Sequence, residues 1–396
     1  MQDCKGTIVY LGGFELPDKN AAAHRVINNA KIFSALGYKV VFCGVNKDLL
    51  WNSDLQREDV YGFESYPIAY PKTSKQWITR LLFVSQYIQL LNKIEDVKFI
   101  IGYNLHALPL KRVLRYAKKK RIKVIVDCTE WYDNTFSLNP IKLVKFIDTN
   151  LCMRIYQKKA DGLIAISQLL NNYYASTIKN RIIVPPLIDV KSSIWENSEN
   201  AYKINPVDKF QFIYAGSPGG TKDKLDQIIR CFCKLGDEYD YLFTIFGITE
   251  KEYLKIYNSQ GDELRQLGKR ILFKGRVSHE ESIMALKHSD CCIFVRDCSR
   301  KNMAGFPTKF VEYYTSGVCI IANEVSDIKS YFPYDGQSIL VKDCTDECIV
   351  FAQKQVLQKE LIALRRERRN GLFNNPFDYR SWKTVFEGFL EKLEKD

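Results

Sequence analysis

Thr308 and Glu312 lie four residues apart in the run Ala304-Gly305-Phe306-Pro307-Thr308-Lys309-Phe310-Val311-Glu312, which continues to Gly317. Residues four apart share one helix face, about 6 Å apart along the axis at 1.5 Å per residue. That is similar to the spacing from a diphosphate to a ribose. A carboxylate accepts from two ribose hydroxyls, as it does in dinucleotide sites. Pro307 suits the first helical turn, where its missing N–H costs nothing, and Gly317 suits the position after the helix, where φ is positive. The helix would thus open just beyond a strand's carboxyl end, with free N–H groups and the positive end of its dipole facing an anion. An ordinary β-α-β unit with a surface glutamate is the competing reading of these residues alone.

Two further stretches carry the same kind of chemistry. Tyr214-Ala215-Gly216-Ser217-Pro218-Gly219-Gly220-Thr221-Lys222-Asp223-Lys224 reads as a strand, a glycine-rich turn and two lysines opening a helix. Flexible glycines followed by lysine suit a diphosphate; solvated lysines on a plain turn are the alternative. Phe273-Lys274-Gly275-Arg276-Val277 ends another strand with a glycine, where backbone groups can meet a base edge. Near the N-terminus, a strand ends in Gly12-Gly13, which permits close backbone approach to a ligand. Neither the GxGxxG turn of a dinucleotide fold nor a phosphate-binding P-loop occurs, so NAD binding and P-loop ATP hydrolysis are unsupported.

These segments need a scaffold, and the hydrophobic pattern supplies one. Apolar runs over 7–11, 39–45, 99–103, 123–128, 162–167 and 181–184 alternate with helical periodicity over 21–36, 75–92, 105–119, 141–159 and 168–176. A second series of runs covers 210–215, 241–246, 271–273, 291–295, 318–322 and 338–341. Continuous apolar strands joined by amphipathic helices imply parallel sheets covered on both faces. The expected fold class is α/β, with two doubly wound domains facing across a cleft. The first would span 1–190, a polar linker 191–207, the second 208–374, and an amphipathic helix 375–396. Open sheets of this kind bind ligands outside their strands' carboxyl ends, so two of them suit a two-substrate enzyme.

Composition narrows the class. The chain has 396 residues, 46% apolar and 26% charged, the balance of a globular protein with sizeable cores. No apolar run reaches the length of a membrane span, and no secretory leader is visible. Twelve cysteines sit mostly in apolar strands or helices without a CxxC pair or a Cys/His cluster, which points to reduced thiols and a cytoplasmic protein rather than a metal centre. Net charge is +12, of which residues 1–190 hold +11. Eight Lys/Arg and no acid fall between Lys111 and Lys123. Such a block attracts anionic lipid, phosphate or nucleic acid, unless it is simply a solvated helix face.

Taken together, these pieces resemble the retaining GT-B glycosyltransferases of family four, the group 1 glycosyltransferases, over nearly the whole chain. Gly305-Phe306-Pro307 with Glu312 and Gly317 matches the donor motif. Ala160-Asp161-Gly162-Leu163-Ile164-Ala165-Ile166-Ser167 and Pro185-Pro186-Leu187-Ile188-Asp189 match the end of the first domain. Gly216 with Lys222 or Lys224 looks like the diphosphate site, Gly275 with Arg276 and Val277 like the base-binding strand end, and 375–396 like the helix that returns to the first domain. The resemblance implies transfer of a sugar from a nucleoside diphosphate, UDP- or GDP-linked, to a hydroxyl with retention. It implies neither a cofactor nor a metal, and the sequence holds no Asp-x-Asp triplet. Donor-site residues would be Gly12, Gly13, Gly216, Ser217, Gly275, Arg276, Val277, Arg296, Gly305, Phe306, Pro307, Thr308, Lys309 and Glu312. Lys222, Lys224, Glu130 and His106 would act at the reacting centre.

Three positions depart from the family pattern. The first of two motif glutamates falls on Ala304, so Arg296, Arg300 or Lys309 would have to supply charge there, or the donor pocket is altered. The glycine pair before the first helix falls on Asn20-Ala21, unless Gly12-Gly13 replaces it. Ser217 stands where a basic residue often follows the diphosphate glycine. Acceptor-side candidates are Asn104, His106, Glu130, Trp131 and Asp133, with His24 and Arg25 at the start of the first long helix. Trp77, Ile78, Leu81, Leu82, Val84, Ile88 and Leu91, flanked by Lys72, Lys75, Arg80 and Lys93, form a stripe that suits either a bilayer or a core. The expected partners are a nucleotide sugar, a sugar or lipid-linked acceptor and an anionic membrane surface, not nucleic acid. Localisation would be cytoplasmic, peripheral on the inner face of the cell membrane. A catalytically inactive partner or a nucleotide-sugar epimerase on the same fold are the alternatives.

Overall fold

A computed structural model describes residues 4–82, 85–132, 136, 138–196, 209–220, 222–258, 260–333, 336–358 and 375–396. Most of the expected linker, and the acceptor candidate Asp133, lie outside them. The chain divides into two compact units. One holds Met1–Ile188, Ala304–Phe306 and Phe377–Asp396; the other holds Asp189–Met303 and Pro307–Pro376.

The first unit is built on an eight-stranded sheet. Its order is Asn180–Ile183, Gly162–Ala165, Lys123–Cys128, Val97–Tyr103, Thr7–Gly12, Lys39–Cys43, Phe63–Ser65 and Glu58–Val60. All neighbours are parallel except the last pair, a short antiparallel edge that the apolar pattern did not reveal. Thr7–Gly12 lies in the middle and is buried along its whole length, as a strand covered on both faces must be. The helix Ala21–Ala35 follows, its N-terminus capped by the Asn20 side chain accepting from the Ala23 N–H at 2.9 Å. Asn20 therefore serves as a cap where the family resemblance would place glycine.

The final helix, Lys383–Lys395, belongs to this unit. Phe386, Phe389, Leu390 and Leu393 enter the core formed with Ile8, Phe33 and Val40. Phe33 and Phe386 meet edge to face at 5.2 Å. A Cβ on Gly162 would stand 2.9 Å from the Phe389 ring, so the strand beneath the helix must be bare there. Each of these four buried side chains contributes about 2 kcal/mol.

Two expected helices are interrupted. The stretch 75–92 is two helices, Ser74–Leu82 and Gln86–Lys93. Its stripe does not face one way: Leu91 is buried and Arg80, read as a flanking cation, is buried as well. Arg80 donates instead to the Ala69 carbonyl at 3.2 Å and the Tyr87 hydroxyl at 3.4 Å. The stretch 141–159 is a helix, Pro140–Leu151, followed by a wider turn, Cys152–Tyr156, and a tighter one, Gln157–Lys159.

The second unit carries a six-stranded, wholly parallel sheet. Its order is Ile271–Gly275, Tyr241–Phe246, Phe210–Tyr214, Cys291–Phe294, Cys319–Asn323 and Ile339–Val341. Sequential strands thus run outward from Phe210–Tyr214 in both directions. Their carboxyl ends share one edge.

On this unit the helix Leu225–Lys234 meets the start of the helix Asp346–Val356 through Asp346. That carboxylate accepts from Lys234 Nζ at 2.8 Å, Arg230 Nε at 3.0 Å and Gln227 Nε2 at 2.9 Å. Burial acts to raise its pKa, but these three donors outweigh burial and hold it at about 2. A depressed carboxylate stabilises the fold above its unfolded pKa and loses that contribution as pH falls through the folded value, here a matter of about 2 kcal/mol. Asp346→Asn is therefore expected to lower the urea midpoint at neutral pH. It should also flatten the loss of stability between pH values of about 4 and about 2, followed by intrinsic fluorescence. A variant as acid-sensitive as the parent would refute this assignment.

None of the twelve cysteines is in a disulfide, and Cys4 and Cys298 are exposed. Among the described residues no helix is long and apolar enough to cross a membrane, and no group of three or more His, Cys, Asp or Glu side chains could hold a metal ion.

Candidate active site

Three neighbouring strands of the second unit end in glycine. Gly216 follows Phe210–Tyr214 with φ 113°, Gly247 follows Tyr241–Phe246 with φ 92°, and Gly275 closes Ile271–Gly275 with φ 68°. The positive angles alone favour glycine. Space demands it too: a Cβ on Gly247 would lie 2.5 Å from the Gly216 carbonyl carbon, and one on Gly216 would lie 2.6 Å from Lys309 Cε. The Gly247 N–H donates to the Gly275 carbonyl at 2.7 Å, tying two of these ends together. The result is bare main chain along the sheet edge. Gly247 was not singled out from sequence; the apolar run read over 241–246 stops just before it.

Beside these glycines lies a buried charge cluster. Asp223, fully buried, accepts from both Lys309 Nζ and Arg296 Nε and from the Tyr214 hydroxyl at 2.6 Å. Lys309 Nζ also donates to the Tyr214 hydroxyl at 2.7 Å and to the Ser217 carbonyl at 2.6 Å. An ammonium has three N–H donors, and Lys309 directs all of them at protein atoms. It therefore braces the Gly216-Ser217 turn and does not offer a hand to a ligand. This corrects the expectation that Lys309 replaces the charge missing at Ala304. Arg296 is held by Asp223 through Nε; among the described residues no protein acceptor meets its terminal N–H groups. The cluster carries one more positive charge than negative. Burial lowers the Lys309 pKa to about 8, against the pull of Asp223. Burial would raise the Asp223 pKa, but Lys309 and Arg296 hold it below its ordinary value.

Glu312 sits on the helix Thr308–Thr315, half-buried. Its Oε1 lies 3.1 Å from Nε2 of His279, the first residue of the helix His279–His288. That helix follows the Gly275 strand end, so His279 ties Glu312 to the place where Gly275, Arg276 and Val277 stand. Nothing in the local sequence pattern marks His279, which lies 33 positions from its partner. Thr308 is exposed, as are Ser217, Lys222 and Arg276. Pro307 occupies the position before the helix rather than inside its first turn; its φ is −72° and ψ 107°, extended backbone. Gly317 follows the helix with φ 66°. Lys224 immediately precedes the helix Leu225–Lys234, its N–H fixed to the Val295 carbonyl at 2.7 Å.

Gly305 and Phe306 group with the first unit instead of with these strand ends, together with fully buried Ala304. The Ala304 carbonyl accepts from Ser167 Oγ at 2.7 Å. Gly12 and Gly13 also belong to the first unit. A Cβ at Gly12 would fall 2.1 Å from the Tyr103 carbonyl oxygen, so strand packing requires that glycine, whereas Gly13 is open.

In the first unit the acceptor-side candidates separate. His106 lies just before the helix Ala107–Lys120, with Nδ1 2.8 Å from Asp148 Oδ2. Asp148 Oδ1 takes the Ala107 N–H at 2.8 Å, and the Trp77 ring stands edge-on to His106 at 6.2 Å. Asn104 holds the left-handed φ of 44° and donates to Thr129 Oγ1 at 3.0 Å, while its buried Oδ1 has no partner among the described residues. Glu130 and His24 are exposed. Two candidates are structural. Trp131 is buried with its ring 4.9 Å from Tyr173, so it is not offered to a sugar. Arg25 is buried against Asp127, with Nε 2.9 Å from Oδ1 and NH1 2.9 Å from the Val184 carbonyl.

Residues 198–371 match the family described as Glycosyl transferases group 1. The matched stretch contains the three glycine strand ends, the Asp223 cluster and Glu312. No curated protein matches the chain in sequence. Solved structures do match along its full length. A sucrose-phosphate synthase from Thermosynechococcus elongatus is 12% identical, covers 99% of this chain and 100% of its own, and superposes with a TM-score of 0.67. An alpha,alpha-trehalose 6-phosphate synthase from Burkholderia multivorans is 11% identical, with 98% and 99% covered and a TM-score of 0.71. HepE from Anabaena, in complex with UDP and glucose, is 12% identical, with 98% and 100% covered and a TM-score of 0.64. The fold is therefore GT-B, with Rossmann-like units, and the domain match supports a glycosyltransferase.

Proposed function

We propose that the protein moves a sugar from a nucleoside diphosphate to an acceptor hydroxyl with retention of configuration, in the assembly of a surface polysaccharide or glycolipid. The observation that carries the reading is the Glu312–His279 contact at the Gly275 strand end. It fixes a half-buried carboxylate beside bare main chain, the chemistry that recognises a ribose next to a base edge. Gly216 and Gly247 leave room for a diphosphate close to the backbone. Lys222 and Lys224 supply cations together with Arg296, a member of the Asp223 cluster and of its one extra positive charge. Charge grows on the leaving diphosphate as its bond to the sugar breaks, and preorganised cations and N–H groups are most effective there. UDP and GDP are the donors to test first; a UDP complex among the solved structures supports starting with UDP.

In the transfer the sugar C1–O bond to the diphosphate breaks and a C1–O bond to the acceptor forms. The acceptor's hydroxyl proton passes to the departing phosphate oxygen. His106 holds the acceptor hydroxyl. Asp148, 2.8 Å from Nδ1, holds the ring in place.

A screen of nucleoside diphosphates by thermal shift, followed by nucleotide-sugar turnover read as released diphosphate, tests the reading. A melting shift with UDP or GDP is expected, with turnover unchanged by added EDTA. His106→Ala should reduce turnover at least about tenfold and leave the nucleotide shift intact. Failure of every nucleoside diphosphate to shift the melting curve would overturn the proposal.

A further inference from the structure

The helix Pro140–Leu151 and the residues flanking it leave several apolar side chains in water. Leu138, Ile141, Val144, Ile147 and Ile155 are each between 39% and 86% exposed. Contiguous exposed apolar residues of this size mark a surface that something covers. Cations surround them: Lys142, Lys145, Arg154 and Lys159 are exposed on the same segment. Between 136 and 159 the one acid is Asp148, which is buried against His106. The basic helix Ala107–Lys120 packs alongside, with Lys111 and Lys159 both directed at the Tyr156 ring at 5.6 and 5.8 Å. Next to this helix stand Trp77 and Ile78, 36% and 48% exposed, which extend the apolar surface past His106.

We infer that this face docks on an anionic lipid bilayer, with Ile141, Val144 and Ile147 in the acyl boundary and the lysines at the headgroups. Exposed apolar residues interspersed with lysine on one helix suit the bilayer interface, and the basic surround is complementary to anionic lipid. The stripe over 77–91, which suited either a bilayer or a core, divides in the fold: Trp77 and Ile78 are exposed, Ile88 is half-buried and Leu91 is buried. The inference rests on the proposed acceptor role of His106 and adds to it. Asp148, which orients His106, is on the docking helix itself. A lipid-linked acceptor lying in the bilayer would thus present its hydroxyl next to the residue that holds it.

Co-sedimentation of the full chain with phosphatidylcholine vesicles, with and without phosphatidylglycerol, tests this at low and high salt. Binding is expected to phosphatidylglycerol-containing vesicles at low salt and to weaken at high salt. Lys142→Glu with Lys145→Glu should reduce binding about thirtyfold or more. Ile141→Ser with Val144→Ser should reduce it at least about tenfold. All four positions are exposed, so circular dichroism and the melting temperature should match the parent. The nucleoside-diphosphate melting shift should persist in both variants, so this surface and the donor site can fail separately. Variants that sediment like the parent, equal binding to phosphatidylcholine alone, or a concentration-dependent dimer that the Ile141/Val144 variant abolishes without any vesicle binding would each overturn the inference.

Discussion

Glu312→Ala is expected to remove nucleoside-diphosphate binding while leaving the fold intact. A carboxylate that accepts from two ribose hydroxyls makes charge-assisted hydrogen bonds, and losing both weakens binding by at least about a hundredfold. The cost to stability is small. Glu312 is 27% exposed and its partner His279 45%, and a partly exposed pair of this kind is worth about 1 kcal/mol at most. The two readouts therefore separate: the melting temperature without ligand should stay near the parent value, and the shift on adding UDP or GDP should vanish. Glu312→Gln keeps the shape and can still meet His279, but loses the charge, so an intermediate loss is expected. His279→Ala should weaken binding less than Glu312→Ala, because it frees the carboxylate's orientation without removing it. A nucleotide shift unchanged in Glu312→Ala would reject the donor-site assignment as a whole.

The parallel sheets were legible because their strands are buried on both faces and read as unbroken apolar runs. Thr7–Gly12 and Cys291–Phe294 are examples, buried along their whole length. The edge hairpin of Glu58–Val60 and Phe63–Ser65 was not, since it is short and partly solvated. Periodicity also continued smoothly past the division between Ser74–Leu82 and Gln86–Lys93, because an apolar stripe carries no record of where a chain turns. For the site, spacing gave Glu312 and the glycine turn but not their partners. His279 and Asp223 act through contacts made by folding, over 33 and 86 positions respectively. Arg25 shows the opposite failure. A cation near a helix start looked available to a ligand, yet Asp127 from a neighbouring strand claims it. Asp223 itself was in view between Lys222 and Lys224. A lone acid in a basic turn is the signal that a buried cation elsewhere needs a partner.

That partner makes the second large prediction. Asp223→Ala leaves Lys309 and Arg296 buried without their counter-charge, and breaking a buried pair in this way costs about 3–5 kcal/mol. Urea unfolding should show the loss directly. The double variant Asp223→Ala with Lys309→Met should recover part of it, since removing both charges relieves the burial that one alone suffers. The pH dependence has a definite sign. Lys309 titrates at about 8 when folded and near its ordinary 10.5 when unfolded. Between those values the unfolded chain binds more protons, so this lysine's burial cost lessens, and stability on its account rises, as pH increases from about 8. Tyr214 opposes this beyond its ordinary 10.0: burial, Asp223 next, pushes its pKa well up, so the folded state keeps a proton that the unfolded state loses. In the Asp223→Ala protein the lysine loses its main support, and the alkaline gain should begin at lower pH and be larger. Nucleotide affinity should move the other way in the parent. As pH rises through about 8 the cluster loses its extra positive charge, and diphosphate binding should weaken. A loss below about 1 kcal/mol in Asp223→Ala, the range of a solvated pair, would show that the cluster does not hold the Gly216 turn in place.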